Sequence, residues 1–261
     1  MKLLFLGTGA ADWSIRSRGE GKFFRRFSSA LVDGQLLIDP GPHIFEFAET
    51  SGTPDLFRGV TDIIVTHSHS DHFVPATVLR ICAEADHPVR LWGSAAIFRA
   101  FDGTAPDAVL PGMMPLETLR SAAVGKYTVL PCRSNHGFLM EGEQTYNYIV
   151  SDGERSFFYG TDSGWIMYDT WLAIKKARPN AVIFECTLGD VWGDDRVFGH
   201  TSIPMIEIML RTMREQHGPA DDCKYYTTHM ARTLHTSHEE LKERLAQIDV
   251  TPVFDGLEIE I

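Results

Sequence analysis

Thr66-His67-Ser68-His69-Ser70-Asp71-His72 places three imidazoles and a carboxylate within six consecutive positions. Burying such a cluster by itself is costly, because each imidazole that protonates repels its neighbours. A divalent cation resolves the conflict, since neutral imidazole nitrogens and carboxylate oxygens are good ligands for zinc, manganese or iron. In an extended run His67 and His69 share one side. Asp71 and His72 then begin a helix and can turn toward a second position a few ångströms away. One short segment can thus feed two neighbouring cations, but it cannot complete the coordination of both. Further candidates are His136, Asp162, His200 and His229. His136 follows a strand-like run at 127–132, Asp162 one at 156–159 and His229 one at 224–228, and loops at strand ends are where distant segments assemble a site. Asp39 can hydrogen-bond the outer ring nitrogen of a ligand histidine, or simply form the turn before Pro40-Gly41.

The elements that must position these residues alternate between strands and helices. Residues 3–6 read as a strand ending at Gly7. Residues 10–27 read as a long basic and aromatic loop with Arg16, Arg18, Lys22, Phe23, Phe24, Arg25, Arg26 and Phe27. One or two of its arginines, with Arg25 and Arg26 as the named candidates, are expected to reach a substrate phosphate, because guanidinium forks suit phosphate oxygens. Asp33-Gly34 joins strands 29–32 and 36–38 as a hairpin. A buried-type strand spans 62–66. The helix after it carries Val74, Val78, Ile81 and Cys82 on one face, with Pro75 in its first turn. A strand at 89–92 precedes a short helix capped by Ser94. The Gly-, Pro- and Met-rich stretch 102–115 suits a mobile loop or lid. Strands follow at 127–132, 146–150, 156–159 and 181–185, with a helix around 171–176. Ser202 is placed to cap a helix bearing Ile206, Leu210 and Met213. After a strand at 224–228, Ser237 and Glu240 form a capping box before Leu241, Leu245 and Ile248. Short strands at 251–254 and 257–261 close the chain. The pattern implies a layered α/β sandwich in one domain.

Composition narrows the function classes. The 261 residues are 44% hydrophobic and 23% charged, without a long apolar run, which excludes disordered, fibrous and multi-pass membrane classes. Residues 1–5 run into Gly7-Thr8-Gly9 without a cleavable signal pattern. Lys plus Arg total 24 against 35 Asp plus Glu, a net charge of −11 that disfavours long nucleic acid but not a small phosphate-bearing ligand. Cys82, Cys132, Cys186 and Cys223 form no CxxC pair, so reduced, buried thiols in a cytoplasmic protein are expected. Gly7-Thr8-Gly9 lacks the Gly-Lys-Ser/Thr ending of a phosphate loop, and no Gly-x-Ser-x-Gly elbow marks a serine hydrolase.

His67-Ser68-His69-Ser70-Asp71-His72 resembles the HxHxDH signature of the metallo-β-lactamase superfamily, and His136, Asp162 and His229 follow in that superfamily's ligand order. Its RNase Z-like and PhnP-type phosphodiesterase branch, phosphoribosyl cyclic phosphodiesterases included, is similar in Leu6-Gly7-Thr8-Gly9, Ile38-Asp39-Pro40-Gly41, Asp162-Ser163, His200-Thr201, Thr228-His229 and the terminal Phe254-Asp255-Gly256-Leu257-Glu258-Ile259. The resemblance implies a four-layer αββα sandwich and two divalent cations, zinc or manganese with iron as an alternative. One would be held by His67, His69 and His136, the other by Asp71, His72 and His229, with Asp162 bridging. It implies hydrolysis of small phosphodiesters by an activated water, with Asp71 and His200 as catalytic residues and His200 as proton donor to the leaving group. Homodimerisation is a family expectation. The chain departs from the PhnP type in having no cysteine before Cys82, hence no extra structural zinc in the first loop, and from RNase Z in lacking a basic projecting arm. Hydrolysis of a lactone, thioester or β-lactam, iron-dependent oxidation, and a non-catalytic binding module are the rival readings.

Overall fold

The computed structural model describes residues 1–13, 24–192 and 195–261. Arg16, Arg18, Lys22 and Phe23 of the basic loop lie outside the described residues. Two seven-stranded sheets form the centre. The first contains β1 (Lys2–Gly7), β2 (Ser29–Val32), β3 (Leu36–Ile38), β4 (Asp62–Ile64), β5 (Arg90–Gly93), β6 (Gly112–Pro115) and, at its far edge beside β1, β14 (Glu258–Glu260). The second runs from β7 (Ala122–Val124) through β8 (Tyr127–Arg133), β9 (Tyr146–Ser151), β10 (Ser156–Gly160), β11 (Ala181–Glu185) and β12 (Lys224–Thr228) to β13 (Val250–Pro252). In each sheet the hairpin side is antiparallel and the other side parallel: β3 to β6 pair in parallel, as do β10 to β13.

Period-two alternation explains the layers. Leu3, Phe5, Ala30, Val32, Leu36 and Ile38 face Tyr146, Tyr148, Phe157, Tyr159 and Ile183 across the space between the sheets. The intervening Leu31, Leu37, Ile63 and Leu91 face outward beneath α1 (Ile44–Thr50) and α2 (Pro75–Glu84). On the opposite surface Phe158, Val182 and Phe184 lie beneath α3 (Tyr168–Ala177), α4 (Ile203–Glu215) and α5 (His238–Ala246). The result is the expected four-layer αββα sandwich.

Local chemistry accounts for the details. Asp33 and Gly34 both take positive φ, 46° and 71°, as a primed hairpin turn requires. Pro75 opens α2 at the position where a missing N–H costs nothing, and the Ser237/Glu240 capping box is formed in both directions. The four cysteines are free thiols. No described helix is long and apolar enough to cross a membrane.

Some expectations need correction. Within the stretch read as a lid, Gly112–Pro115 is an ordered strand that pairs with β5. It lies at a sheet edge, where only one side must be hydrogen-bonded and Pro is tolerated. α1 and β7 were not anticipated. The strand expected to reach Thr66 ends as β4 at Ile64, because the Thr66 N–H turns away to the Asp39 carboxylate at 2.8 Å. Ser94 and Ser202 occupy N-cap positions without capping through their side chains. Ser94 Oγ accepts from the Gln144 N–H at 3.0 Å instead.

Candidate metal and catalytic site

The loops that follow the parallel strands β4, β10, β11 and β12 converge at one end of the sandwich, where α/β folds commonly gather their functional residues. The segment from Thr66 is braced from several directions. Asp39 receives the Thr66 N–H at 2.8 Å, the Thr66 hydroxyl at 2.9 Å and the outer ring nitrogen of His72, Nδ1, at 2.9 Å. The Tyr146 N–H donates to the Thr66 carbonyl across the two sheets at 2.9 Å. Gly41 lets the backbone pass, since a Cβ there would stand 2.5 Å from the Asp71 carbonyl oxygen. Asp39, Asp162 and His229 all adopt left-handed backbone, with φ of 57°, 47° and 55°. For side chains with a Cβ that conformation is strained and concentrates at functional sites.

Three groups of donor atoms result among the described residues, one of them Glu185, His200 and His229, and the other two share a residue. Ligand atoms of His67, His69, His136 and Asp162 lie within 4.8 Å of one another, and so do those of Asp71, His72, Asp162 and His229. Asp162 belongs to both. Its Oδ2 stands 3.2 Å from His67 Nε2, 3.0 Å from His72 Nε2 and 3.8 Å from His136 Nε2. Nitrogen faces nitrogen at 3.1 Å between His136 and His69, and at 3.2 Å between His72 and His229. Atoms bound at about 2.0–2.2 Å in a tetrahedral shell stand roughly 3.3–3.5 Å apart, so these spacings fit ligand shells. His67 Nε2 and Asp162 Oδ1 are buried without a well-aligned hydrogen bond, their nearest neighbours being Asp162 Oδ2 at 3.2 Å and His229 Nδ1 at 2.9 Å, and an N/O-binding cation would satisfy both. The outer nitrogens are oriented by Thr66 Oγ1 on His67 (3.0 Å), Asp39 on His72, the Gly199 carbonyl on His136 (3.0 Å) and Thr187 Oγ1 on His229 (2.8 Å). That leaves the inner atoms aimed at the centre.

The electrostatics express the same conflict. Burial, with His72 alongside, pushes the His67 ring down to about 3, and burial and His136 lower His69. At His229 burial opposes the charge, but Asp162 and Asp71 outweigh it and raise the ring to about 10. His72 is likewise held well above its ordinary range against burial, by Asp71 and Asp162. Burial favours the neutral form of both carboxyls, yet His72 and His229 hold Asp71 and Asp162 well below the usual carboxylate range. Protons on His72 and His229 stand where a cation would otherwise balance the two carboxylates.

His200 sits at the same opening, its ring 4.7 Å from His136 and stacked 5.9 Å from His229. Its Nδ1 is 3.1 Å from Glu185 Oε1. Burial opposes its charge, but Glu185 and Asp162 raise its pKa. Glu185, at the end of β11, is fully enclosed and was missed in the sequence, where it reads as the last residue of an apolar strand. Glu143 was missed as well. It accepts both the Ser68 N–H at 2.6 Å and the Ser68 hydroxyl at 2.5 Å, fixing the turn between His67 and His69. A cavity of about 260 Å³ opens over the cluster, lined by His69, Asp71, His136, Asp162, His200 and His229 and also by Arg196.

Arg25 and Arg26 are not brought to this cavity, which corrects their reading as phosphate ligands. Arg25 is 5% exposed and donates to Thr8 Oγ1 and the Val253 carbonyl, both at 2.7 Å, while its other terminal nitrogen lies 3.0 Å from His238. Arg26 is held by Thr50 at 3.0 Å, Asp255 at 3.4 Å and Glu46 at 3.5 Å. A buried guanidinium needs its donors satisfied within the protein, and these two anchor the first loop to the terminal Phe254-Asp255 segment.

The model of the β-lactamase superfamily domain matches residues 35–230, well over half of the chain and all of the ligand candidates. The chain belongs to the β-lactamase superfamily. No curated protein sequence matches it. Among solved structures of this superfamily fold, Zn(2+)-bound PqqB from Methylobacterium extorquens is 16% identical with a TM-score of 0.76, covering 100% of each chain. A diphosphatase from the PhnP family is 18% identical with a TM-score of 0.71, covering 100% of this chain and 97% of its own. The short form of human tRNase Z is 20% identical with a TM-score of 0.70, covering 100% of this chain and 99% of its own. At such identities the likeness is one of fold. The β-lactamase superfamily consists mostly of metal-dependent hydrolases, and the His/Asp cluster described above is a candidate metal site within it.

Proposed function

We propose that this β-lactamase superfamily member is a binuclear metal-dependent phosphodiesterase of small phosphate-bearing molecules. The observation that carries the reading is the placement of His200, backed by Glu185, beside two ligand sets that share Asp162. His67, His69, His136 and Asp162 would hold one divalent cation, and Asp71, His72, Asp162 and His229 the other. When bound, such a pair supplies positive charge for phosphoryl oxygens and lowers the pKa of a water molecule.

The protein's own groups do the rest. Glu185 accepts from Nδ1–H of His200, which leaves Nε2–H free to donate. Breaking a phosphodiester expels an alkoxide unless it is protonated, and an imidazole raised above its ordinary value by Glu185 and Asp162 against burial keeps its donor proton to higher pH than a free histidine. Asp71, ionised and beside His72 at 3.2 Å, holds its oxygens toward the shared centre, where it can accept a hydrogen bond from the attacking water and orient it. The cavity of about 260 Å³ suits a compact substrate, smaller than the roughly 300–1,000 Å³ typical of drug-sized ligand sites, and disfavours a polynucleotide. The test is turnover of bis(p-nitrophenyl) phosphate and cyclic nucleotides by manganese- or zinc-loaded protein, beside a lactone, a thioester and a β-lactam. Turnover of the phosphodiesters supports the reading; turnover confined to the other esters overturns it.

A further inference from the structure

The two oxygens of Asp162 face different groups. Oδ2 is the one that meets His67, His72 and His136. Oδ1 points the other way, to His229 Nδ1 at 2.9 Å and His200 Nδ1 at 3.7 Å, and it lacks a well-aligned hydrogen bond. There it meets the third donor group, Glu185, His200 and His229, whose ligand atoms lie within 4.8 Å of one another. Glu185 Oε1 is 3.1 Å from His200 Nδ1. With Asp162 Oδ1, the group offers two imidazoles and two carboxylates. Their spacings of 2.9, 3.1 and 3.7 Å bracket the roughly 3.3–3.5 Å between ligands of a tetrahedral shell. This is no surface patch of acids: His200 is the most open of the four, with 18% of its side chain exposed.

His229 serves this group without leaving its first one. Its Nε2 is 3.2 Å from His72 Nε2, while its Nδ1 is the nitrogen beside Asp162 Oδ1. A cation in the third group must nevertheless displace existing contacts. It replaces the proton between His200 Nδ1 and Glu185, and it takes His229 Nδ1 from Thr187 Oγ1, now 2.8 Å away. Two neighbouring cations would also repel it. The third group is therefore the last to fill. Its imidazoles favour zinc over manganese, which binds nitrogen donors more weakly.

We propose that Glu185, His200, His229 and Asp162 Oδ1 form a third, inhibitory cation site that zinc fills when it is in excess. A ring held by a cation at Nδ1 has no imidazolium proton to give, so filling the site disables the proton donor. The inhibitory consequence rests on the phosphodiesterase reading, whereas the binding itself is measured by stoichiometry alone.

The test is equilibrium dialysis against rising zinc, with elemental analysis, on wild type, Glu185→Gln and His200→Ala, beside the wild type in manganese. Wild type is expected to bind two zinc ions tightly and a third more weakly, with kcat falling as the third binds, and to stop at two in manganese. Each variant is expected to keep two and to bind the third at least about tenfold more weakly, since loss of even an orienting partner costs about 10–100-fold. Wild type that stops at two zinc ions, variants that bind the third as wild type does, or a kcat indifferent to the third ion overturns the inhibitory site and leaves the binuclear reading standing. Protein that takes up no cation overturns both.

Discussion

Glu185 Oε1 lies 3.1 Å from His200 Nδ1, and the same oxygen accepts the Thr201 N–H at 2.7 Å. Its partner Oε2 accepts the Thr187 N–H at 2.6 Å. A carboxylate held on both oxygens by backbone donors is fixed in place, so it selects the His200 tautomer with Nδ1 protonated. It also links His200 to Thr187, whose hydroxyl orients His229.

Replacing Glu185 by Gln removes the charge that, with Asp162, raises His200. A general acid must be protonated, so activity falls as pH rises through its pKa. Lowering that pKa moves the alkaline limb of the pH–rate profile toward acid. The expected outcome for Glu185→Gln is this acid-ward shift, read from kcat against pH, with metal content retained.

Removing the acid itself separates chemistry from ligation. For His200→Ala, kcat is expected to fall about 10²–10⁴-fold, the usual worth of a positioned acid, while two cations per chain are still bound. Elemental analysis beside the kinetics checks this, and parallel loss of metal would assign His200 to the ligand set. Substrates with leaving groups that need no protonation should be affected least.

The supports of the His67–His72 segment are expected to govern metal affinity. Asp39→Asn withdraws the charge behind His72, and loss of such an orienting partner costs about 10–100-fold in affinity. Gly41→Ala should do at least as much harm, because its Cβ would meet the Asp71 carbonyl at 2.5 Å and backbone cannot swing aside as a side chain can. Competition with a chromophoric chelator measures both.

Metal uptake should release protons. In the metal-free protein His72 is held protonated and His229 is raised to about 10, and both must be neutral to ligate. Below about pH 10 affinity is therefore expected to rise with pH, by about tenfold per pH unit for each proton displaced. Titrations at pH 6 and pH 8 in buffers of different ionisation enthalpy would count the protons. Affinity that is flat across this range would contradict the assignment.

The ligand cluster was legible in the sequence because His67, His69, Asp71 and His72 are contiguous and polar, and little but a metal reconciles them. Most strands and helices were legible through alternation at positions such as Phe157 and Phe158 or through the Ser237/Glu240 box. Glu185 and Glu143 were not, since each functions through a contact that only the fold creates, with His200 and with Ser68. Arg25 and Arg26 misled for the opposite reason: their side-chain type suits phosphate, but the fold commits them to Thr8, Val253 and Asp255. Gly112–Pro115 carries loop-like residues and becomes a strand because β5 offers it an edge.

The central claim is that Asp162 joins two adjacent cation sites. Anomalous diffraction from manganese-soaked crystals tests it most directly. Two peaks about 3.5–4 Å apart on either side of the Asp162 carboxylate are expected, one near His67, His69 and His136 and the other near Asp71, His72 and His229. A lone peak, or peaks away from Asp162, would contradict it.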